Sequence, residues 1–193
     1  MYCPLLESFS LKKCWNIHER LDISRTNLRL KNLVVDRCNF LSGLVKIQAP
    51  NLRFFKYSGK AARFYFQSRL TYMQEAELDF GQQSEFSGVA DLLYDLLDQL
   101  FSVRVLTVCS FLLQDDVPPF ELDPEEFWTN NFIVHRCIKT SLKVVEVLGF
   151  QGTGNEILKL QYLISFGSVL GEVDLYLSEE DDGYGGNSEN TCK

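Results

Sequence analysis

Apolar residues recur along the first third of the chain in a fixed frame. Leu6, Phe9, Leu11, Cys14 and Ile17 occupy the same slots as Leu30, Leu33, Val35, Cys38 and Leu41, with Leu6 falling on Leu30 24 positions later. Within each frame, Phe9-x-Leu11 and Leu33-x-Val35 alternate, which predicts a short strand with two apolar side chains on one face. Looser copies follow at Leu52/Phe55/Tyr57, Met73/Ala76/Leu78, Val103/Leu106/Val108, Leu142/Val145/Val147 and Leu170/Val173/Leu175. Seven parallel strands are expected, with irregular coil or helix on the opposite side. No single unit can bury its own apolar face, so neighbours must stack.

The frame matches the Leu-x-x-Leu-x-Leu-x-x-Asn/Cys template of leucine-rich repeats, whose units run roughly 20–29 residues. Cys14 and Cys38 take the template's small closing position, inside the coil. Helices interrupt the series. Val89, Leu92, Leu93, Leu96, Leu97 and Leu100 are spaced for one face of a helix. Asp123-Pro124-Glu125-Glu126 is a helix start that would carry Phe127 and Trp128 inward. Thr153-Gly154-Asn155-Glu156 is a capping box opening a helix to about Phe166, with Gly167 as its stop.

The alternation also assigns the opposite face of each strand. Its residues are Ser8, Ser10 and Lys12; Asn32, Val34 and Asp36; Phe54, Lys56 and Ser58; Glu75, Glu77 and Asp79; Val105, Thr107 and Cys109; Val144, Glu146 and Leu148; and Glu172, Asp174 and Tyr176. Lys12, Asp36, Phe54, Lys56, Glu75, Glu77, Asp79, Glu146, Glu172, Asp174 and Tyr176 are the candidate partner contacts. The acidic rung Glu75/Glu77/Asp79 beside Phe54/Lys56/Ser58 marks a sharp change of chemistry along that face.

With 193 residues, 46% of them hydrophobic, the chain can bury a substantial core. The net charge of −7 conceals a division: residues 1–69 hold 13 Lys/Arg against 4 Asp/Glu, and residues 70–193 hold 6 against 22. Such runs are most simply solvated faces, and otherwise a bipolar binding surface. An acidic chain without basic–aromatic interleaving argues against nucleic acid. No apolar run is long enough for a membrane span, no signal peptide or Asn-x-Ser/Thr acceptor is visible, and the six Cys make no compact disulfide framework. A reduced, intracellular protein of the cytoplasm or nucleus is expected. Residues 178–193, rich in Glu, Asp and Gly, read as a disordered acidic tail.

Catalytic chemistry finds little support. Gly149-Phe150-Gln151-Gly152-Thr153-Gly154 lies between a strand and a helix, but its Gly-x-x-Gly-x-Gly spacing is not the dinucleotide fingerprint. Turn glycines feeding a capped helix explain it. Cys14/His18 and His135/Cys137 lack the Cys-x-x-Cys companions of a zinc site. Adjacent acids such as Glu125/Glu126 point apart. No enzyme, no cofactor and no metal site is expected.

Several segments resemble the plant F-box/leucine-rich-repeat/FBD proteins. Cys3-Pro4-Leu5-Leu6-Glu7-Ser8-Phe9-Ser10-Leu11-Lys12-Lys13-Cys14, Leu30 to Cys38, and Ile47 to Gly59 with Ala49-Pro50-Asn51 at its centre are similar to the family's repeats. Cys137 to Val147, Gly149-Phe150-x-Gly152, Asn155-Glu156, Leu158 to Ile164 and Leu170-x-x-Val173 are similar to its FBD module. The resemblance implies an α/β fold. By that resemblance it would be a leucine-rich-repeat solenoid, with a parallel β-sheet on the concave face and helices or irregular coil on the convex face, closed by an FBD unit. Residues 1–112 would be repeats, 113–177 the FBD-like unit continuing the solenoid, and 178–193 the tail.

It also implies non-catalytic recognition of a protein substrate for an F-box ubiquitin ligase. Family members dock the Skp adaptor of the cullin ligase through an F-box, and these residues show none, so adaptor and cullin are expected partners only where an F-box is supplied. An uncapped first repeat is expected to favour self-association. The alternatives are a small-molecule or inositol-phosphate sensing repeat domain, and a truncated remnant without function.

Overall fold

A computed structural model describes residues 3, 5–14, 21–23, 29–38, 44–59, 62–80, 95–113 and 136–177. Ten strands are described: β1 (Ser8–Lys12), β2 (Leu21–Ile23), β3 (Asn32–Cys38), β4 (Leu44–Ile47), β5 (Phe54–Gly59), β6 (Arg63–Phe66), β7 (Glu75–Asp79), β8 (Val105–Cys109), β9 (Val144–Phe150) and β10 (Glu172–Leu177). Residues 95–99 are helical, Ser110–Leu113 form a 3₁₀ turn, and two helices follow, α1 (Arg136–Thr140) and α2 (Gly154–Phe166).

Seven strands form one parallel sheet in the order β1-β3-β5-β7-β8-β9-β10. The pairings follow the frame read from the sequence: Ser8 with Asn32, Asn32 with Phe54, Phe54 with Glu75, Glu75 with Val105, Val105 with Val144, and Val144 with Glu172. A repeated backbone device sets this register. The carbonyls of Glu7, Lys31, Arg53, Gln74, Arg104 and Lys143 each accept two N–H groups from the start of the next unit. Lys31 O, for example, takes Arg53 N at 2.7 Å and Phe54 N at 3.0 Å.

The second sheet departs from expectation. Where irregular coil or helix was anticipated, β2, β4 and β6 form a three-stranded parallel sheet. Its residues explain it: Val45, Ile47, Phe64 and Phe66 alternate with polar or exposed neighbours and bury one face. That face meets the large sheet. Phe55 of β5 makes edge-on contacts with Phe64 and Phe66 at 5.3 and 5.5 Å between ring centres, and Tyr57 contacts Phe64 at 4.7 Å and Phe80 at 5.7 Å. Burial raises the Tyr57 hydroxyl pKa well above its ordinary value. The core continues through Leu33, Val35, Ala76, Leu78, Leu106, Val108, Val145 and Val147.

Gln99 finishes the smaller sheet. Its side-chain amide accepts from Phe66 N and donates to Phe64 O, both at 3.0 Å, satisfying backbone groups of β6 as another strand would.

The capping box at α2 is present, with Thr153 as N-cap and Glu156 completing it. Gly167 ends α2 with a φ of −77°, outside the left-handed region expected of a stop glycine. Its requirement is space, since a Cβ there would lie 2.6 Å from Leu163 O and 2.7 Å from Leu170 Cβ. Of the helix expected over 89–100, residues 95–100 are described and 95–99 are helical, and Leu96, Leu97 and Leu100 are buried. The Asp123 helix with Phe127 and Trp128, and the tail 178–193, lie outside the described residues. Among the described residues no helix is long and apolar enough to cross a membrane.

A candidate interaction face on the seven-stranded sheet

Alternation turns one face of the large sheet away from the buried aliphatic and aromatic residues, and strand register arranges its side chains in rows. One row runs Ser10, Val34, Lys56, Glu77, Thr107, Glu146, Asp174. The row beside it runs Ser8, Asn32, Phe54, Glu75, Val105, Val144, Glu172. All eleven candidate contacts sit on this face. Lys12 stands at the β1 edge, Glu172, Asp174 and Tyr176 at the β10 edge, and Asp36, Phe54, Lys56, Glu75, Glu77, Asp79 and Glu146 between them.

The centre of the face is a linked polar patch. Lys56 Nζ pairs with Glu77 Oε2 across β5 and β7. Ser58 Oγ donates to Asp79 Oδ2 at 3.1 Å, and Thr107 Oγ1 donates to Glu146 Oε2 at 2.7 Å. These links draw Ser58 and Thr107 out of solvent, and both are buried although the alternation faces them outward. Asp36 is half-buried and contacts Arg37 Nε at 3.6 Å. Glu146 and Asp174 are register partners, so two acids stand side by side across β9 and β10.

Glu75 registers the crowding. Burial raises its pKa, the Glu77 and Glu146 charges add to the rise, and Lys56 opposes it. A carboxyl whose pKa is raised in the folded chain detracts from stability once ionised. The loss begins as pH climbs through the ordinary carboxylate range and is complete above the folded pKa. Glu75→Gln is therefore expected to raise the urea midpoint at neutral pH and to leave it unchanged at about pH 3, below both values. An equal gain at both pH values would mean that packing, not charge, is responsible.

Sequence reasoning missed what happens where the strands end. The residues immediately after the outward triplets fall in one slot: Lys13, Arg37, Gly59, Phe80, Ser110 and Gly149. Four of them have positive φ: Lys13 at 54°, Arg37 at 51°, Gly59 at 152° and Gly149 at 74°. Lys13 N donates to Asp36 O at 2.8 Å there. The glycines at 59 and 149 were the available signal, and the two basic residues in the slot masked it. Just beyond, Cys38 turns its thiol toward Leu11 O at 3.6 Å and Asp36 O at 3.4 Å, so the closing cysteine serves backbone carbonyls.

Glu156 and Cys137 have structural roles. At the Gly149–Gly154 loop, the buried Glu156 carboxylate accepts from Thr153 N at 2.8 Å, Thr153 Oγ1 at 3.1 Å and Gln151 N at 3.2 Å. An internal carboxylate thus takes the N–H donors that a nucleotide phosphate would need. Cys137 is fully buried, donates to Leu97 O at 3.5 Å, and burial pushes its thiol pKa up to about 12, which leaves it unreactive. His18 and His135 lie outside the described residues, and no three-residue metal-ligand cluster occurs among the described ones. Cys3, Cys14, Cys38, Cys109 and Cys137 are free thiols.

Fold and face together define an α/β protein built on a sequentially ordered parallel sheet, with one apolar side and one charged side. Across most of its length the chain is similar to plant F-box proteins. An F-box protein of Arabidopsis thaliana is 30% identical over 232 residues, covering 90% of this chain and 50% of the relative. A putative F-box protein of the same plant is 28% identical, covering 90% and 51%. A putative F-box/LRR-repeat protein, also from Arabidopsis thaliana, is 24% identical, covering 90% and 50%. The chain therefore spans about half the length of these relatives. No family model and no solved structure matches it.

Proposed function

We propose that this chain is a non-catalytic protein-interaction module, the leucine-rich-repeat and FBD part of an F-box-type ubiquitin ligase receptor. In this reading it is a solenoid whose concave surface is the charged face of the large sheet, and it recognises a protein substrate there. The division is residues 1–112 as repeats and 113–177 as the FBD-like unit. Its place is intracellular, and docking on the Skp adaptor and cullin follows only where an F-box is joined to it.

The observation that carries the reading is similarity to F-box proteins along 90% of the chain, in a fold whose large sheet turns two rows of mostly polar side chains away from the apolar core. The sensing alternative fits the face less well. Glu75, Glu77, Asp79, Glu146, Glu172 and Asp174 would repel an inositol phosphate there.

The test is retention of partners from plant-cell extract under proteasome inhibition by the immobilised chain, beside a Glu75→Ala/Glu77→Ala/Asp79→Ala variant of unchanged circular dichroism. The expected result is a specific protein held by the chain and lost from the variant. Identical retention by both would remove the outward face as the recognition surface. Recovery of chaperones alone would overturn the receptor reading.

A further inference from the structure

A second polar site lies away from the outward face, where the smaller sheet meets the helices. A cleft of about 350 Å³ opens there, with Gln67, Ser68, Arg69, Asp98, Phe101 and Arg136 among its lining residues. Hydrogen bonds tie its walls together. Gln99 joins the 95–99 turn to β6, Cys137 of α1 donates to Leu97 O, and Ser141 Oγ donates to Phe101 O at 3.0 Å. A cleft braced on three sides is formed before any ligand arrives, which removes part of the ordering cost of binding.

Two of its lining residues, Arg69 and Arg136, are cationic. The Arg69 guanidinium stands 5.0 Å over the Phe101 ring, a contact that restrains the side chain. Among the described residues neither Arg69 nor Arg136 is in an ion pair. Ser68 Oγ is buried without a hydrogen-bond partner among the described residues, an unfavourable state for a hydroxyl. One carboxylate, Asp98, also lines the cleft and is engaged in an interaction of its own.

Two guanidinium forks and a hydroxyl offer more donors than the two oxygens of a carboxylate can use. A tetrahedral dianion with three free oxygens fits them better, because each fork can take two oxygens at once. The volume is near the lower end for ligand pockets, room for a phosphate ester and little for a large cofactor.

We propose that the Arg69/Arg136 cleft binds a dianionic phosphate group, with both guanidiniums and the Ser68 hydroxyl as its donors. The phosphate is either that of a phosphorylated partner side chain or free phosphate, and both present the same oxygens. The site stands apart from the outward face, so it holds or fails independently of the function proposed above.

The test is titration of the chain with inorganic phosphate at constant ionic strength, reading the Arg Nε–H resonances by NMR, with chloride as control. Saturable shifts at Arg69 and Arg136 are expected. Binding should weaken about tenfold or more in Arg69→Gln and in Arg136→Gln. Asp98→Asn should tighten it, a gain that a purely structural role for these residues would not produce. A phosphoserine peptide, set beside its unphosphorylated form, separates the sources. Tighter binding than inorganic phosphate identifies a phosphorylated partner, and weaker or equal binding identifies free phosphate. Absence of saturation, an equal response to chloride, or binding unchanged in the arginine variants overturns the proposal. Should a glutamine variant fail to fold, Arg69→Lys and Arg136→Lys retain charge without the fork and are expected to bind phosphate more weakly than the parent chain.

Discussion

Phe55→Ala is expected to destabilise the chain by about 3–5 kcal/mol, the usual loss for a fully buried aromatic ring. Phe55 has no solvent exposure and touches both sheets, with Phe64 and Phe66 edge-on against it. Removing the ring forfeits its burial, opens a cavity between the layers and ends two aromatic contacts worth about 0.5–1.5 kcal/mol beyond burial each. Neighbours cannot close the gap easily, because strand pairing fixes the backbones on both sides. The check is urea unfolding: the midpoint should fall sharply, and Phe55→Leu, which keeps an apolar side chain in the gap, should lose less. An unchanged midpoint in Phe55→Ala would mean that the two sheets are not joined through this ring.

The second large effect is expected at Gly59. Its φ of 152° is a backbone state that L side chains avoid, and an added Cβ would sit 2.4 Å from Cys38 O. Strain of that kind costs on the order of 1–3 kcal/mol by itself. Here the obstacle is also the backbone of β3, which cannot rotate away as a side chain would. Relief requires β3 and β5 to part where their register already shifts, between Asp36 and Cys38. Gly59→Ala should therefore lower stability by at least about 3 kcal/mol, strain and overpacking combined. Lys13→Gly and Arg37→Gly, at the matching slots with φ near 50°, provide the contrast. Relieving their positive φ should leave stability unchanged or higher. Losing stability at those two sites, or keeping it in Gly59→Ala, would refute this account of the strand ends.

How much was legible in the sequence depends on the element. Phe9-x-Leu11, Leu33-x-Val35 and their successors fixed the seven strands, because alternation has a period that only an extended chain satisfies. Equal slots in successive units then paired Ser8 with Asn32 and Phe54 with Glu75, as the structure has them. The α2 cap was legible because Thr153 and Glu156 act on each other locally. The small sheet was not. Leu21–Ile23 and Leu44–Ile47 are too short for their alternation to stand out, and they become strands by pairing with each other.

The candidate face divides in the same way. Which residues point outward follows from the period, and so from the sequence. That Lys56 reaches Glu77, that Thr107 is buried under Glu146, and that Arg69 shares a cleft with Arg136 does not. The seven strands of the large sheet, their register and the charge of each rung were written in the chain, because neighbours and a repeated step set them. The second sheet, the aromatic seam between the layers, the ion pairing of the face and the arginine cleft arose only on folding. Those depend on side chains from distant units coming within a few ångströms, a condition that packing imposes and local pattern does not encode.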